Sequence, residues 1–178
     1  MSEITEVLLR EITETDTDNI VRWRNSINVR RYLFSQEELK AEQHRKYLKN
    51  VVEVGKCKQY IIHISDNQCK KDIGTIFIKN IDKKNRKGEF GIFIGEESYR
   101  GKGYARKASS KILKMAFEEM GLNRVYLSVM ADNAAAIKTY ESIGFFIEGT
   151  LRQDYLRGDE YIDVLLMAIT KDEWINRM

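Results

Sequence analysis

The alternation of apolar and polar positions predicts strands at both ends of the chain and in its middle. Short polar connections at residues 66–67 and 83–86 separate the middle strands, which is typical of antiparallel hairpins. The strands predicted in the first half lie at residues 7–12, 60–65, 73–81 and 89–94. Those predicted in the second half lie at residues 124–130, 145–151 and 161–169.

Helical spacing of apolar residues predicts two helices between the first and second strands. Thr15 and Asp16 are candidate caps for a helix that runs towards Asn25. A second helix is expected to start near Ser35, because residues 35–38 fit a capping box. Apolar residues then recur at helical spacing, at Leu39, Tyr47, Leu48 and Val51.

Three further helices are expected in the second half. One follows a glycine-bearing loop at residues 99–103 and runs to about Met120, with Gly121 placed to end it. Another opens at Asn133 and ends at Gly144. A short terminal helix begins at residues 170–173. The strand–helix–strand order in the middle implies one parallel crossover in a mixed sheet. The fold class is therefore α+β with α/β/α layers, and residues 1–178 form a single domain.

Composition narrows the class of protein. The net charge of +3 is too small to argue for nucleic acid, and no apolar run approaches the ~20 residues that cross a bilayer. The N-terminus lacks the apolar region of a signal peptide, so we expect a cytoplasmic protein with no membrane or nucleic-acid partner. With two cysteines, Cys57 and Cys69, and two histidines, His44 and His63, a metal site is not expected.

The segment from Tyr99 to Ala105 predicts a phosphate-binding loop. It lies between a strand and a helix, where glycines let the backbone curl and free N–H groups at the helix start favour an anion. Arg100 and Lys102 add positive charge. A dinucleotide fingerprint is excluded because Arg106 stands in place of its third glycine, and no P-loop sequence is present. Taken alone, the loop is equally consistent with a solvated glycine turn.

Two segments at matching spacing identify a family resemblance. Arg100-x-x-Gly103-x-Ala105 resembles the R/Q-x-x-G-x-G/A motif of the GNAT acetyltransferases, and residues 133–145 resemble their N-x-x-A-x-x-x-Y-x-x-x-G-F segment. The predicted strand order is also that of the GNAT fold, a mixed, mostly antiparallel sheet of about seven strands with a splayed central pair. The resemblance implies an enzyme that takes acetyl-CoA as its cosubstrate, without a metal, and acetylates a primary amine.

The resemblance also implies which residues hold the coenzyme. The loop would cradle the pyrophosphate, and the pantetheine arm would lie beside the strand at residues 89–94, where Gly91 and Gly95 would permit a bulge. Asn133 would contact the arm or act as an N-cap. The expected cofactor-binding residues are Ile92, Phe93, Ile94, Arg100, Gly101, Lys102, Gly103, Tyr104, Ala105, Arg106, Asn133, Ala136 and Tyr140.

Two residues are candidates for proton transfer. The resemblance places the Tyr140 hydroxyl beside the coenzyme sulfur, where it would protonate the departing thiolate; otherwise Tyr140 is a core tyrosine. Glu89 is the candidate base, acting through water, or else a solvated glutamate at the end of a strand. The backbone N–H groups near Phe93 and Ile94 would polarise the thioester carbonyl.

The identity of the acceptor amine is the least determined part of the predicted function. The full-length pattern resembles the RimJ/RimL-like branch, and Trp23-Arg24-Asn25 with Val29-Arg30 is similar to the group that acetylates nucleotide-linked amino sugars. Arginines in this segment suit an anionic diphosphate. Trp23 would either stack on a sugar or base, as would Tyr32, or belong to the core. Acidic residues on the next helix argue for a cation instead: Glu37, Glu38 and Glu42.

The sequence is also consistent with other acceptors and with one function outside catalysis. The acceptor would otherwise be spermidine, another polyamine or a ribosomal-protein N-terminus. A coenzyme A-binding regulatory module is the alternative from outside the enzymes, although it would not need Tyr140. The expected partner is a small-molecule amine. A homodimer is also open, because related enzymes are often dimers.

Overall fold

The computed structural model describes residues 6–65 and 70–177. Seven strands form one mixed sheet in the order β1-β2-β3-β4-β5-β7-β6. Their bounds are β1 Glu6–Glu11, β2 Cys57–Ser65, β3 Lys70–Asp82, β4 Lys87–Ile94, β5 Arg124–Met130, β6 Phe146–Arg157 and β7 Glu160–Thr170. The pair β4–β5 is parallel and the other neighbours are antiparallel, as the sequence predicts. The expected turn at residues 66–67 lies outside the described residues.

Six helices cover the sheet in the described part of the chain. Two of them, α3 and α4, continue into a wider π-helical turn, to Val52 and Glu119 respectively. The helix bounds are α1 Thr17–Asn25, α2 Ile27–Arg30, α3 Ala41–Tyr47, α4 Tyr104–Lys114, α5 Ala134–Ile143 and α6 Lys171–Ile175. The predicted ends at Gly121 and Gly144 are confirmed, since both glycines have positive φ. Thr170 and Glu173 form the expected box at the start of α6.

The start of α1 differs from the prediction. Asp16 was expected to cap this helix, but its side chain makes no capping hydrogen bond to it. Its carboxylate instead accepts hydrogen bonds from the Thr13 backbone N–H at 2.8 Å and from the Arg10 guanidinium at 2.6 and 3.0 Å. The guanidinium also donates to Asp72 on β3. Arg10 thereby ties the start of α1 to two strands.

The second predicted helix begins later than expected. The capping-box prediction at residues 35–38 is wrong, because α3 begins at Ala41 and residues 35–40 are not helical. Gln36 donates its side-chain amide to the backbone oxygens of Arg30 and Leu33, so it holds a loop rather than a helix start. The unpredicted helix α2 precedes this loop.

Two apolar clusters lie on opposite faces of the sheet. The larger one packs α4 and α5 against the sheet through residues such as Ile112, Tyr140 and Phe90. The smaller one packs α1 and α3 against the sheet around Trp23 and Ile61. Because successive side chains in a strand point to opposite faces, β4 contributes to both layers. The site described below opens between these layers, where β4 ends.

Candidate active site

The parallel pair β4–β5 separates soon after it starts. Their register comprises three pairs, which end at Glu89 opposite Tyr126. Beyond that point residues 90–94 and 127–130 are no longer paired, in agreement with the predicted splayed pair of strands. A cavity of about 1200 Å³ opens at the gap and is lined by both strands, by α5 and by the helices on the other face. An extended ligand arm can therefore reach the sheet backbone there.

The loop before α4 has the geometry of an anion site. Gly101 and Gly103 have φ values of +70° and +80°, a conformation that glycine adopts without strain. Among the described residues, none accepts a hydrogen bond from the backbone N–H groups of residues 101–106. These donors stand at the N-terminus of an 11-residue helix, where the dipole adds to the attraction for a phosphate. The residues present thus fit a pyrophosphate.

Most of the expected coenzyme residues line this cavity. Lys102 is the exception; its ammonium lies over the Tyr99 ring, 5.5 Å from the ring centre. The side chain of Asn133 accepts a hydrogen bond from the Ala136 backbone N–H, so it is an N-cap that also faces the cavity. The lining residues from that set are Ile92, Phe93, Ile94, Arg100, Gly101, Gly103, Tyr104, Ala105, Arg106, Asn133, Ala136 and Tyr140.

The guanidinium of Arg100 turns away from the anion site. Its Nε donates to the Ile94 backbone oxygen at 3.0 Å, and its Nη2 lies 3.5 Å from the Gly95 oxygen. Arg100 therefore fastens the loop to the end of β4. In this arrangement the open backbone N–H groups, rather than this side chain, are available to an anion.

Tyr140 lies at the junction of the cavity and the larger core. Its ring packs edge-on against Phe90, with the ring centres 5.8 Å apart, and the residue is 8% exposed. Burial raises the pKa of the Tyr140 phenol to about 12. The phenol is protonated at neutral pH, as a phenol of ordinary pKa near 10 would also be. Among the described residues no group hydrogen-bonds its hydroxyl, so the ring is held by packing alone.

Glu89 lines the cavity where the two strands begin to separate. One carboxylate oxygen lies 3.1 Å from the Lys79 ammonium, and the other accepts a hydrogen bond from the Asn80 side-chain amide at 2.7 Å. The side chain is one-quarter exposed. The carboxylate is therefore held in place at the cavity wall while still in contact with water.

Gly91 and Gly95 serve a different purpose from the expected bulge. The register of β4 with β3 is continuous from Ile94 to Glu89, so the predicted bulge at Gly91 is wrong. A Cβ on Gly91 would lie 2.2 Å from the Phe77 ring, and one on Gly95 would lie 2.0 Å from the Trp23 ring. Because neither glycine has a side chain, an aromatic ring can pack directly against the backbone at each position. The 1% exposure of Trp23 also decides its role: it is a core residue and cannot stack on a ligand.

Glu96 anchors α1 to the segment that leads into the loop. Its Oε1 accepts hydrogen bonds from the Trp23 indole at 2.7 Å and from Arg22 at 2.5 Å, and its Oε2 lies 3.3 Å from the Lys71 ammonium. Burial alone would raise the pKa of the Glu96 carboxyl, but these donors outweigh it and lower the pKa to about 2. The layer on the α1 side and the start of the loop are thus joined by a carboxylate that stays ionised.

The end of the cavity below α1, α2 and α3 carries positive charge and unpaired polar atoms. Arg24 and Arg31 line it. Burial lowers the pKa of the Arg24 guanidinium, whose protein contact is the Glu37 backbone oxygen at 3.5 Å. Two residues that line it, His44 and Gln59, each have a buried side-chain atom, Nε2 and Oε1 respectively, without a hydrogen-bond partner among the described residues. Sequence analysis did not identify His44 or Gln59, since neither belongs to a motif.

The described residues contain neither a candidate metal site nor a candidate membrane-spanning helix. Within residues 6–65 and 70–177 no group of three or more His, Cys, Asp or Glu side chains is placed to hold a metal ion. In the same ranges no helix is both long and apolar enough to span a membrane. Cys57 is a buried free thiol, while Cys69 lies outside the described residues.

Comparisons with known proteins agree with this geometry. The family model for the acetyltransferase (GNAT) domain matches residues 6–146. Spermidine N(1)-acetyltransferase of Vibrio cholerae is 28% identical over 97% of each chain, and that of Escherichia coli K12 is 26% identical over 95% of this chain and 88% of its own. A crystal structure of the Vibrio cholerae enzyme in complex with CoA and spermine superposes with a TM-score of 0.87 at 26% identity, covering 96% of this chain and 98% of that one.

The family model spans more than half of the chain, and the similar structure superposes on nearly all of it. The cavity, the open N–H groups and the splayed strands provide the corresponding site in this protein. The chain therefore belongs to the GNAT acetyltransferase family and is an N-acetyltransferase whose cosubstrate is acetyl-CoA.

Proposed function

We propose that this enzyme transfers the acetyl group directly, with Glu89 and Tyr140 moving the protons. Glu89, acting through water, takes a proton from the acceptor ammonium, and the free amine attacks the thioester carbonyl. When the carbon–sulfur bond breaks, Tyr140 gives its proton to the departing thiolate, and the second proton of the attacking nitrogen, lost as the amide forms, returns through water to the Tyr140 oxygen. Support comes from the position of both side chains on one cavity.

The coenzyme is proposed to lie across the splayed strands, with its pyrophosphate at the loop. The open N–H groups of residues 101–106 would bind the phosphates, and the Arg100 side chain would act indirectly by fixing the loop to Ile94. Backbone groups of Phe93 and Ile94 would bind the pantetheine arm and polarise the carbonyl, as expected from the family resemblance. Asn133 and Ala136 would border the same arm.

For the acceptor, we propose a primary amine on a molecule that also carries negative charge, best represented by a nucleotide-linked amino sugar. The observation that carries this proposal is the pair Arg24 and Arg31 at the acceptor end of the cavity. Placing a cationic chain beside two guanidinium groups is unfavourable, whereas a diphosphate gains charge-assisted hydrogen bonds. Glu37, Glu38 and Glu42, which argued for a cation, lie outside the lining of the cavity.

The unpaired atoms of His44 and Gln59 support an acceptor rich in hydroxyl or amide groups. His44 Nδ1 lies 3.0 Å from the Thr17 hydroxyl, and Gln59 Nε2 donates to Thr75, so each of these cavity-lining side chains has one satisfied atom and one buried atom without a partner among the described residues. Burial lowers the pKa of the His44 imidazole, which is therefore neutral at pH 7. A sugar or a base supplies donors and acceptors to both atoms.

Spermidine is the second candidate, and the comparisons favour it over an amino sugar. Both reported relatives that cover nearly the whole chain are spermidine N(1)-acetyltransferases, and the similar crystal structure contains spermine. Two carboxylates that line the cavity, those of Glu89 and Glu97, would attract an ammonium. The two candidates differ in the sign of the charge beside the reacting amine, which makes them experimentally separable.

An amine panel tests the acceptor. Thiol release from acetyl-CoA should be measured with nucleotide-linked amino sugars, spermidine and a peptide with a free N-terminus. Arg24→Gln should raise KM for an anionic acceptor and should lower or leave unchanged the KM for spermidine. Lys58→Gln, an exposed charge removal on β2 outside the cavity, is the control. Efficient acetylation of spermidine without activity on any nucleotide-linked amino sugar would overturn the amino-sugar proposal in favour of the polyamine.

We also propose that the chain self-associates through the outer strand β6. This strand is the edge of the sheet and exposes four large apolar side chains, Phe146, Ile147, Leu151 and Leu156. An edge strand offers unpaired backbone N–H and C=O groups to another chain, and exposed apolar side chains favour its burial there. Light scattering should give more than one chain per particle for the parent, and Leu151→Lys should lower that number; a monomeric parent contradicts the proposal.

A further inference from the structure

A second groove, lined by basic residues, lies between α4, α5 and α6. Its volume is about 510 Å³, and its lining includes Arg106, Lys111, Lys114 and Arg177. None of the described residues that line it is acidic. The Glu118 carboxylate lies 3.9 Å from the Lys114 ammonium and outside the lining. The other three cations of the groove, those of Arg106, Lys111 and Arg177, have no ion-pair partner among the described residues.

This basic groove adjoins the acetyl-transfer cavity. Arg106 and Ser142 line both spaces, Arg106 from the first turn of α4 and Ser142 from the end of α5. Residues 106, 110 and 114 are spaced four apart, so they follow one face of α4 away from the phosphate loop. A ligand bound at the loop can thus extend directly along this face.

We propose that the basic groove binds the 3′-phosphate of coenzyme A. This inference rests on the coenzyme part of the proposed function, because it continues from a pyrophosphate bound at residues 101–106. Coenzyme A carries a third phosphate on its ribose, beyond the pyrophosphate and on the side away from the thiol. Several cations that face one another without an anion repel, and a phosphate converts this repulsion into charge-assisted hydrogen bonds.

The groove would also decide which acetyl donors the enzyme accepts. A donor without the 3′-phosphate, such as acetyl-3′-dephospho-CoA or an acetylated phosphopantetheine on a carrier protein, leaves the cations of the groove unpaired. The enzyme should therefore discriminate against such donors through affinity. The chemical step, which takes place at the far end of the cavity, should be unaffected.

Calorimetric titration of CoA and of 3′-dephospho-CoA tests the proposal without using activity. An exposed ion pair contributes little on its own, so two residues are changed together: Arg106→Gln with Lys111→Gln. The parent should bind CoA about tenfold more tightly than 3′-dephospho-CoA, and the double variant should bind both with about the parent's affinity for 3′-dephospho-CoA. Lys107→Gln, on the same helix and outside both linings, should retain the parent's preference.

Other outcomes overturn the proposal. Equal affinity of the parent for both coenzymes contradicts it while leaving the acetyltransferase proposal intact, whereas failure of the parent to bind either coenzyme contradicts both. A double variant that loses equal affinity for the two coenzymes shows that Arg106 and Lys111 act elsewhere on the ligand. Inorganic phosphate, titrated alone, identifies a free anion as the occupant if it binds to the groove without competing with CoA.

Discussion

Glu96→Gln removes the charge that joins α1 to the start of the phosphate loop and changes the side-chain volume very little. The carboxylate accepts hydrogen bonds from Arg22 and Trp23 and forms an ion pair with Lys71. A glutamine can keep the indole hydrogen bond, but it loses the attraction to both cations. The substitution therefore measures the charged part of this anchor separately from its shape.

The magnitude follows from the lowered pKa. The Glu96 pKa falls from its ordinary 4.5 to about 2, and each pKa unit corresponds to about 1.4 kcal/mol. The full shift would give about 3.4 kcal/mol, and allowing for solvent screening of a partly exposed pair we expect about 2 kcal/mol. Because the folded-state pKa is below the unfolded value, this stability is fully present above pH 4.5 and is lost as the pH falls towards 2.

Urea unfolding of parent and variant at pH 7, 5 and 3 is the assay. Glu96→Gln should lower the free energy of unfolding by about 2 kcal/mol at pH 7 and by clearly less at pH 3. Glu97→Gln is the matched control, because this neighbouring carboxylate accepts its hydrogen bond from the neutral amide of Asn28. A loss for Glu96→Gln that is the same at all three pH values, or no larger than that of Glu97→Gln, would refute the reasoning.

Two further predictions concern residues that line the cavity, and a third concerns the packing at the end of β4. Glu89→Gln should lower turnover most at low pH, where the acceptor amine is protonated, and a pH–rate profile parallel to the parent's would mean that Glu89 only orients or packs. Gly103→Val should weaken acetyl-CoA binding in calorimetry, because φ of +80° is unfavourable for a β-branched residue and its side chain obstructs the phosphates; unchanged affinity in a folded protein would contradict the loop assignment. Gly95→Ala should destabilise the protein by about 1–3 kcal/mol through overpacking against Trp23, and a denaturant midpoint equal to the parent's would show that the ring moves freely.

The elements around the coenzyme loop could be predicted because local signals agree there. The helix α4 has a regular apolar stripe, Gly103 and Gly121 flank it, and Asn133 caps α5 as its residue type suggests. The separation of strands β4 and β5 could be predicted only from the family resemblance, because the GNAT motifs belong to a fold in which the central strands are splayed. In this region propensity, capping and motif all indicate the same structure.

The features that escaped prediction depend on contacts between distant parts of the chain. Trp23 and Glu96 are 73 residues apart, so no periodicity relates the indole to the carboxylate. The residue types in the loop motif do not specify that Arg100 points back to Ile94. Asp16 is a residue type that often caps helices, but its carboxylate instead accepts hydrogen bonds from Arg10, which also donates to Asp72. A local pattern cannot show which of several partners a polar side chain will find.

The proton donated to the departing thiolate is the central step of the proposed mechanism, and Tyr140→Phe tests it most directly. The substitution keeps the packing on Phe90 and removes a hydroxyl that has no hydrogen-bond partner among the described residues, so stability and acetyl-CoA affinity should change little. Turnover, measured as thiol release with the best acceptor of the panel, should fall by about a hundredfold to ten-thousandfold. Turnover within about threefold of the parent, far below that range, would contradict the assignment of Tyr140 as the acid.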